Sequence, residues 1–377
     1  MKNSIDIESY CNLLEQGELQ FVQNSQTKSV GVSKSSKIAR IKFTVFCLID
    51  FLLLHIKILF SNNQISLKNI VFVMPNLCRF DNNSCSVPIL DLVKISNPQY
   101  INYGKEKYIS SINNQKVYNL GGLIVIFQLF NKSSKSVTVN HYRIVNDSFL
   151  KKASNSTVFS LCYYDNNGLA LAFSKYRKNF NLTELQHGSM INFYPYHTPA
   201  RFSIVDTFFV RNNATIQYLK SHLAQNYLAE YQLIPYPKNK AVAQSDNHIL
   251  YASSIETNGF HTVFLDFLRS SSVLNLNIIV RLHPREFQKK AIFEKELKEL
   301  NVNYRFDISK NWLLDNTVQN LIVVSPWSSI IEEAADNGYK TIIIDEIGKR
   351  RYEYLIDCQN VFDGSTSSKF YSIISNI

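Results

Sequence analysis

The sequence predicts an α/β protein made of two doubly wound halves. Three observations predict it. The chain has 377 residues, too many for one small domain, and two of ordinary size is the natural division. From Asn69 onward, short β-branched apolar runs alternate with helix-like stretches, the pattern of a parallel sheet covered by helices on both faces. That alternation breaks at Leu233 to Ser245, where Pro235 and Pro237 sit among polar residues, and then restarts. The expected organisation is a lead-in and apolar helix over residues 1–60, a first domain over 61–240 and a second over 241–377.

Composition narrows the classes. Hydrophobic residues make up 45% of the chain and charged residues 19%, which suits a globular protein with a large core. The net charge of +10 favours an anionic partner. The basic residues are dispersed, with only short clusters such as Lys349-Arg350-Arg351 and no nucleic-acid fingerprint, so nucleic acid is not the expected partner. The six cysteines form no CxxC pair and no zinc spacing, so no metal site is expected and a reducing cytoplasm fits best. The polar N-terminus lacks the apolar stretch of a signal peptide.

Taken in order, the elements begin with Phe43 to Phe60. This run is apolar enough to raise the question of a membrane span, but it holds Asp50, His55 and Lys57, with Lys42 at its start. Lys42, Asp50 and Lys57 share one side of a helical wheel. The expectation is an amphipathic helix, packed or lying on the inner face of the cytoplasmic membrane, since charges at mid-bilayer are costly. Asn69 to Met74 reads as a buried strand. Leu123 to Phe127 reads as strand or helix, and Ser136 to Val139 as a short strand. Val158 to Tyr163 and Asn181 to Leu185 are strands, the first followed by a helix from Leu169. Asp206 to Val210 is a strand and Asn213 to Ser221 a helix. In the second half, strands are expected at His248 to Ala252, Asn277 to Arg281, Val302 to Phe306, Leu321 to Val324 and Lys340 to Ile344. Helices are expected at Phe260 to Leu268, Ala291 to Leu300 and Ser328 to Asp336.

The motifs that carry chemistry all follow strands, where ligands bind in such sheets. Gln186-His187-Gly188 follows the strand at Leu185. A histidine there can donate to phosphate or act as acid or base, and Gly188 permits close approach. Arg281-Leu282-His283-Pro284 follows the strand at Val280, with arginine suited to bidentate phosphate recognition. Ser325-Pro326-Trp327-Ser328-Ser329 leads into a helix containing Glu333, where hydroxyls and free amides suit a phosphate. Asp165, after Tyr163-Tyr164, is a candidate base in the first half and equally an ordinary turn aspartate. The stretch Ser253 to Gly259, with Asn258, could wrap a phosphate with backbone amides. It lacks the spacing of the known glycine-rich loops.

The series Leu185-Gln186-His187-Gly188, Arg281-Leu282-His283-Pro284 and Ser325-Pro326-Trp327-Ser328-Ser329 before Ile330-Ile331-Glu332-Glu333 resembles bacterial surface-polysaccharide glycosyltransferases of the GT-B fold. These include polysialyltransferase-like and Kdo-transferase-like enzymes. The same order of His-Gly, His-Pro and Ser-Ser elements is similar to that of teichoic-acid polyol-phosphate transferases. The resemblance implies two Rossmann-like domains facing across a cleft. It implies that His283 and the Ser328-Ser329 turn bind the donor and that His187 sits at the cleft. Arg281, Pro284, Ser325 and Glu333 are further candidates for donor binding, and Gln186, Gly188, Asn258 and Gly259 for the cleft. Two departures bear on the base. The sialyltransferases carry an acidic pair before glycine where this chain has Gln186-His187-Gly188, and the teichoic-acid type has tryptophan before His-Gly.

The reading is a metal-independent, inverting glycosyltransferase that adds sugar to a capsule or O-antigen chain, with Asp165 or His187 as base. No cofactor is expected. The donor is a nucleotide-sugar, with a CMP-linked one slightly favoured, and the acceptor is a glycan or lipid-linked glycan. Two alternatives stay open: a CDP-polyol phosphotransferase using His187 and His283, and a non-catalytic glycan- or nucleotide-binding protein.

Overall fold

The computed structural model describes residues 11–12, 37–60, 68–74, 78–81, 84–105, 107–130, 134–162, 165–188, 190–191, 205–222, 229–234, 248–254, 259–270, 276–308, 321–356 and 360–375. These form two compact units. The first takes the described residues up to His187 and those from Val205 to Ile234. The second takes Gly188, Met190, Ile191 and everything from His248 on. The proline-rich break expected between domains, the lead-in over 13–36, and Tyr163, Tyr164 and Asn258 lie outside the described residues.

The first unit runs α1 (Lys37–Phe60), β1 (Asn69–Val73), β2 (Arg79–Asp81), β3 (Ser84–Ser86), α2 (Pro88–Val93), β4 (Gln99–Asn102), β5 (Ser111–Ile112) and β6 (Gln115–Asn119). It continues α3 (Gly121–Phe130), α4 (Lys135–Leu150), β7 (Ser156–Ser160), α5 (Asn166–Ala172), β8 (Phe180–Leu185), β9 (Thr207–Val210), α6 (Asn213–His222) and β10 (Glu230–Leu233). The sheet order is β10-β9-β8-β7-β1-β4-β6-β5-β3-β2. The strands from β10 to β6 in that order all pair in parallel, while β5 and β2 make the antiparallel pairings β5 to β6 and β2 to β3.

The second unit runs β11 (His248–Ala252), α7 (Thr262–Leu268), β12 (Asn277–Arg281), α8 (Lys290–Glu299), β13 (Tyr304–Phe306), β14 (Leu321–Ser325), α9 (Ile330–Asp336), β15 (Lys340–Ile343), α10 (Glu346–Arg351), α11 (Glu353–Ile356), β16 (Val361–Asp363) and α12 (Ser367–Ser375). Its sheet is parallel throughout, in the order β13-β12-β11-β14-β15-β16.

Both orders are doubly wound. The second unit begins with the central β11, builds outward through β12 and β13, and then crosses over to build β14, β15 and β16 on the other side. In the first unit β2 to β6 all lie on one side of β1, with β4 beside it, and β7 to β10 build outward on the other. The crossover leaves a switch point between β1 and β7 in the first unit and between β11 and β14 in the second. Loops leaving the two central strands part in opposite directions there, which opens a crevice at the carboxyl ends. The strands read as continuous apolar runs because both faces are covered. Along β11, Ile249 and Tyr251 join one buried cluster with Phe264, Phe267, Phe293 and Phe370, while Leu250 and Ala252 join another with Val323 and Ile330.

One expectation is corrected. Ser136 to Val139 is helix, inside α4. Ser134 caps that helix by accepting from the Val137 amide at 3.3 Å, and Val139, Tyr142, Val145, Asn146 and Phe149 bury along it. A helical period sustained over four turns outweighs four residues of β-branched alternation. Helix α1 is packed along one side, and its three charges meet different surroundings: Lys42 and Lys57 are exposed. Asp50 is only 3% exposed. It accepts from the Asn119 backbone amide at 3.1 Å and from Asn119 Nδ2 at 2.9 Å. Phe43, Cys47 and Leu54 are buried on the same side of the helix. Close approach to α3 is possible because Gly122 has no side chain: a Cβ there would sit 2.8 Å from Cys47 Sγ. The segment left open between strand and helix at Leu123 to Phe127 is helical, within α3.

Candidate functional site

Each unit gathers polar side chains at the carboxyl ends of its central strands. In the first unit, Asp165 follows β7 and caps α5, accepting from the Gly168 amide at 2.5 Å. Its other oxygen accepts from the Tyr103 hydroxyl at 2.5 Å. Tyr103 follows β4 and is buried, and Tyr142 of α4 donates to its carbonyl at 3.2 Å. Protein atoms crowd the Asp165 carboxyl. Burial raises its pKa to about 6 against the pull of the Gly168 amide and the Tyr103 hydroxyl, which favour the charged form. Burial, and then the Asp165 charge, raise the Tyr103 phenol well above its ordinary range, so Tyr103 stays a donor.

His187 lies just past β8. Its ring stands against the Cys162 thiol, with Nε2 at 3.6 Å and Nδ1 at 3.7 Å from Sγ. Its carbonyl accepts from Arg211 Nη2 at 3.2 Å. Gln186 is fully buried, and its Oε1 accepts from the Arg211 amide at 2.7 Å, tying the end of β8 to the residue after β9. Gln186 Nε2 is buried with no hydrogen-bond partner among the described residues. Gly188 has open space where a Cβ would stand.

In the second unit the arginine-histidine-proline segment is folded against β11. Ser253 Oγ accepts from the His283 amide at 2.8 Å and donates to Glu286 Oε2. Glu286 is 1% exposed. Pro284 opens a short 3-10 turn that brings Glu286 back, with the Glu286 amide donating to the His283 carbonyl at 2.7 Å. Arg281 does not stand free for a ligand: its Nη1 is paired with Asp307 Oδ2 at 2.6 Å and the side chain is buried.

The serine turn spans the switch point. Ser325 Oγ donates to the Ala252 carbonyl at 2.8 Å and accepts from the Ser328 amide at 3.2 Å, so it ties β14 to β11 rather than facing outward. Ser328 and Ser329 are half-buried. Ser329 occupies the cap position of α9 without a side-chain cap bond, and its carbonyl accepts from the Glu333 amide at 3.3 Å. The turn is held by a backbone contact that only glycine allows: a Cβ on Gly348 would lie 1.8 Å from the Pro326 carbonyl oxygen. Gly259 has a φ of +119°, at the far end of the loop that leaves β11.

Three residues at these strand ends were not singled out from sequence. His261 Nε2 stands 3.4 Å from Asp345 Oδ2, just past β15. Burial raises the Asp345 carboxyl, but the His261 bond and the Ile347 and Gly348 amides outweigh it and hold the pKa below its usual value. Tyr103 is the third. Asp345 was legible as a charge ending the run Ile342-Ile343-Ile344, whereas His261 and Tyr103 had no local signal. Among the described residues no cluster of histidine, cysteine and carboxylate side chains is grouped to hold a metal ion.

No family model matches the chain, and no curated protein matches it in sequence. Solved structures do match in fold. The S. aureus MnaA–UDP co-structure aligns with a TM-score of 0.50 at 9% identity, covering 82% of this chain and 87% of that one. A Listeria monocytogenes structure named for UDP-N-acetylglucosamine 2-epimerase gives the same TM-score, identity and coverage, 0.50, 9%, 82% and 87%. A glycosyltransferase from Rickettsia africae aligns at 0.46 with 10% identity, covering 82% of this chain and 88% of that one. The chain has the α/β GT-B fold, with two Rossmann-like domains.

Proposed function

We propose that this protein is a glycosyltransferase that moves a sugar from a nucleotide-activated donor to a growing cell-surface polysaccharide, a capsule or O-antigen chain. The observation that carries the reading is Asp165. It is a carboxylate at the carboxyl end of the central β7, with a pKa raised to about 6, where a general base for an acceptor hydroxyl is most effective near neutral pH. The GT-B fold and the motif series quoted from the sequence support it. Asp165 or His187 takes the acceptor proton in a direct, inverting displacement. In the second unit, His283 and the Ser328-Ser329 turn bind the donor phosphates and offset charge on the leaving group without a metal. Arg281 supports them indirectly, by locking the end of β12 to Asp307.

The test is a panel of CMP-, CDP-, UDP-, GDP- and dTDP-linked donors read first by thermal shift, since a ligand bound only by the folded state raises its stability. A CMP-sugar is the first expectation. UDP belongs in the panel because the S. aureus MnaA structure holds it. Stabilisation by one donor class, followed by sugar transfer to a lipid-linked or free glycan acceptor, is the expected result. Release of CMP from CDP-glycerol or CDP-ribitol would establish the polyol-phosphate reading instead. A changed sugar on an intact nucleotide would establish an epimerase. No response to any donor would overturn the reading.

A further inference from the structure

The outward face of α1 is apolar, and the domain does not cover it. Ile41, Val45, Phe46, Leu48, Ile49, Leu52, Leu53 and Ile56 are between 40% and 64% exposed. At 100° per residue they fall within one arc of the helix, opposite Phe43, Cys47, Asp50 and Leu54, which pack inward. Tyr108 continues the patch: it is 38% exposed and its ring lies 5.5 Å from that of Phe46. Isolated exposed leucines are ordinary, but a contiguous apolar face along a 24-residue helix marks a surface meant to be covered.

Charge selects what covers it. Lys42 stands exposed within the apolar arc, and Lys57 stands at its edge, reaching Gln99 Oε1 at 2.6 Å. Lys116 flanks the helix on the side of Asp50, 3.5 Å away. The helix sequence holds one acidic residue, Asp50, and that carboxylate is turned inward and bonded to Asn119. The face therefore offers cations and hydrocarbon and no anion. A second copy of the chain would bring lysines against lysines with no carboxylate to meet them. An anionic lipid surface supplies both hydrocarbon for the aliphatic side chains and phosphates for the lysines. Phe43, Cys47, Asp50 and Leu54 pack the other side of the helix onto its own domain, so only the outward face is open to lipid.

We propose that the outward face of α1 docks this protein on an anionic membrane, with Ile41, Val45, Leu48, Ile49, Leu52 and Ile56 entering the headgroup boundary and Lys42 and Lys57 meeting lipid phosphates. Asp50 is the pivot: by bonding Asn119 it holds the helix to its domain with the apolar face outward. The inference is independent of the sugar-transfer reading, because it needs no donor and no reaction.

The experiment is flotation of the full chain with vesicles of phosphatidylethanolamine alone and of phosphatidylethanolamine mixed with phosphatidylglycerol, at low and high salt. The wild type is expected to float with the mixed vesicles and to release partly as salt screens the lysines. Leu48→Asp with Leu52→Asp is expected to lower binding more than about tenfold, since two buried leucine side chains are lost from the contact. Both positions are exposed, so the melting temperature is expected to hold. If the double variant melts early, Lys42→Glu carries the test, with a loss of about fivefold or more on the mixed vesicles only. Equal flotation of wild type and variants, or none by the wild type, overturns the proposal. A wild-type dimer in light scattering that the double variant splits also overturns it, by assigning the face to a second copy.

Discussion

The Tyr103 hydroxyl donates to Asp165 Oδ2 at 2.5 Å, joining the residue after β4 to the residue that caps α5 after β7. These loops leave strands on either side of β1 in the sheet. The bond places a buried donor against a carboxylate whose pKa is about 6.

If Asp165 is the base, transfer rises with pH through about 6. Tyr103→Phe removes a donor that favours the charged carboxylate, so the acid limb of the rate profile is expected to move to higher pH. An unchanged limb in that variant would leave His187 as the base. Asp165→Asn keeps an acceptor for the Gly168 amide and so keeps the cap. It is expected to lower the rate by about 10²–10⁴-fold while the fold persists in circular dichroism.

The same shift has a sign in stability. A carboxylate whose folded pKa is raised is stabilising relative to its unfolded state at low pH, and that contribution is lost as pH rises through the folded value. Wild-type stability is therefore expected to fall relative to Asp165→Asn between about pH 4 and pH 6. Melting curves for the two proteins across that range check it, and parallel curves would remove the shifted carboxyl.

Ser253→Ala takes away the hydroxyl that joins the His283 amide to Glu286. With Glu286 buried, the cost is expected to be about 1–3 kcal/mol. Donor affinity is expected to weaken along with it, because His283 loses its anchor. Ser253→Thr keeps the hydroxyl and is the comparison.

Gly348→Ala is expected to cost at least as much. The added Cβ meets the Pro326 carbonyl at 1.8 Å, a backbone atom that moves only with the serine turn. Overpacking of this kind costs about 1–3 kcal/mol or more. Nucleotide binding is expected to drop because Ser328 and Ser329 shift, while binding of lipid vesicles stays unchanged.

Asp50→Ala takes the acceptor from the Asn119 backbone amide, while the Asn119 side chain keeps the Ile109 carbonyl, and it removes the inward anchor of α1. A loss of about 1–3 kcal/mol is expected, with faster hydrogen exchange along residues 43–57. Protection equal to wild type would show that packing of Phe43, Cys47 and Leu54 suffices.

Much of the second unit was legible because its strands are buried on both faces. A run such as Asn277-Ile278-Ile279-Val280-Arg281 is too short and too branched for a helix, and β12 spans those residues. The hairpin strands β2, β3 and β5 had no such signal, being two or three residues long. The site divides the same way. Position after a strand placed His187, His283 and the serine turn at strand ends. It did not reveal that Ser325 points back to Ala252, that Arg281 is held by Asp307, or that His261 faces Asp345. Those pairings join residues that lie between 26 and 84 positions apart in the chain.

By itself the sequence determined two alternating α/β halves and the strand ends that carry histidine, serine and aspartate. Periodicity and breakers are local properties, and a strand buried on both faces has no other way to be written. Only the tertiary structure decided what each polar group does. Asp50 reads on a wheel as sharing one side with Lys42 and Lys57, yet Asn119 captures it alone and turns the apolar face of α1 outward. Asp165 reads as a turn residue, yet burial beside Tyr103 raises its pKa into the range of a base. Hydrogen-bond satisfaction and desolvation depend on neighbours brought in by the fold, and no local pattern records who those neighbours are.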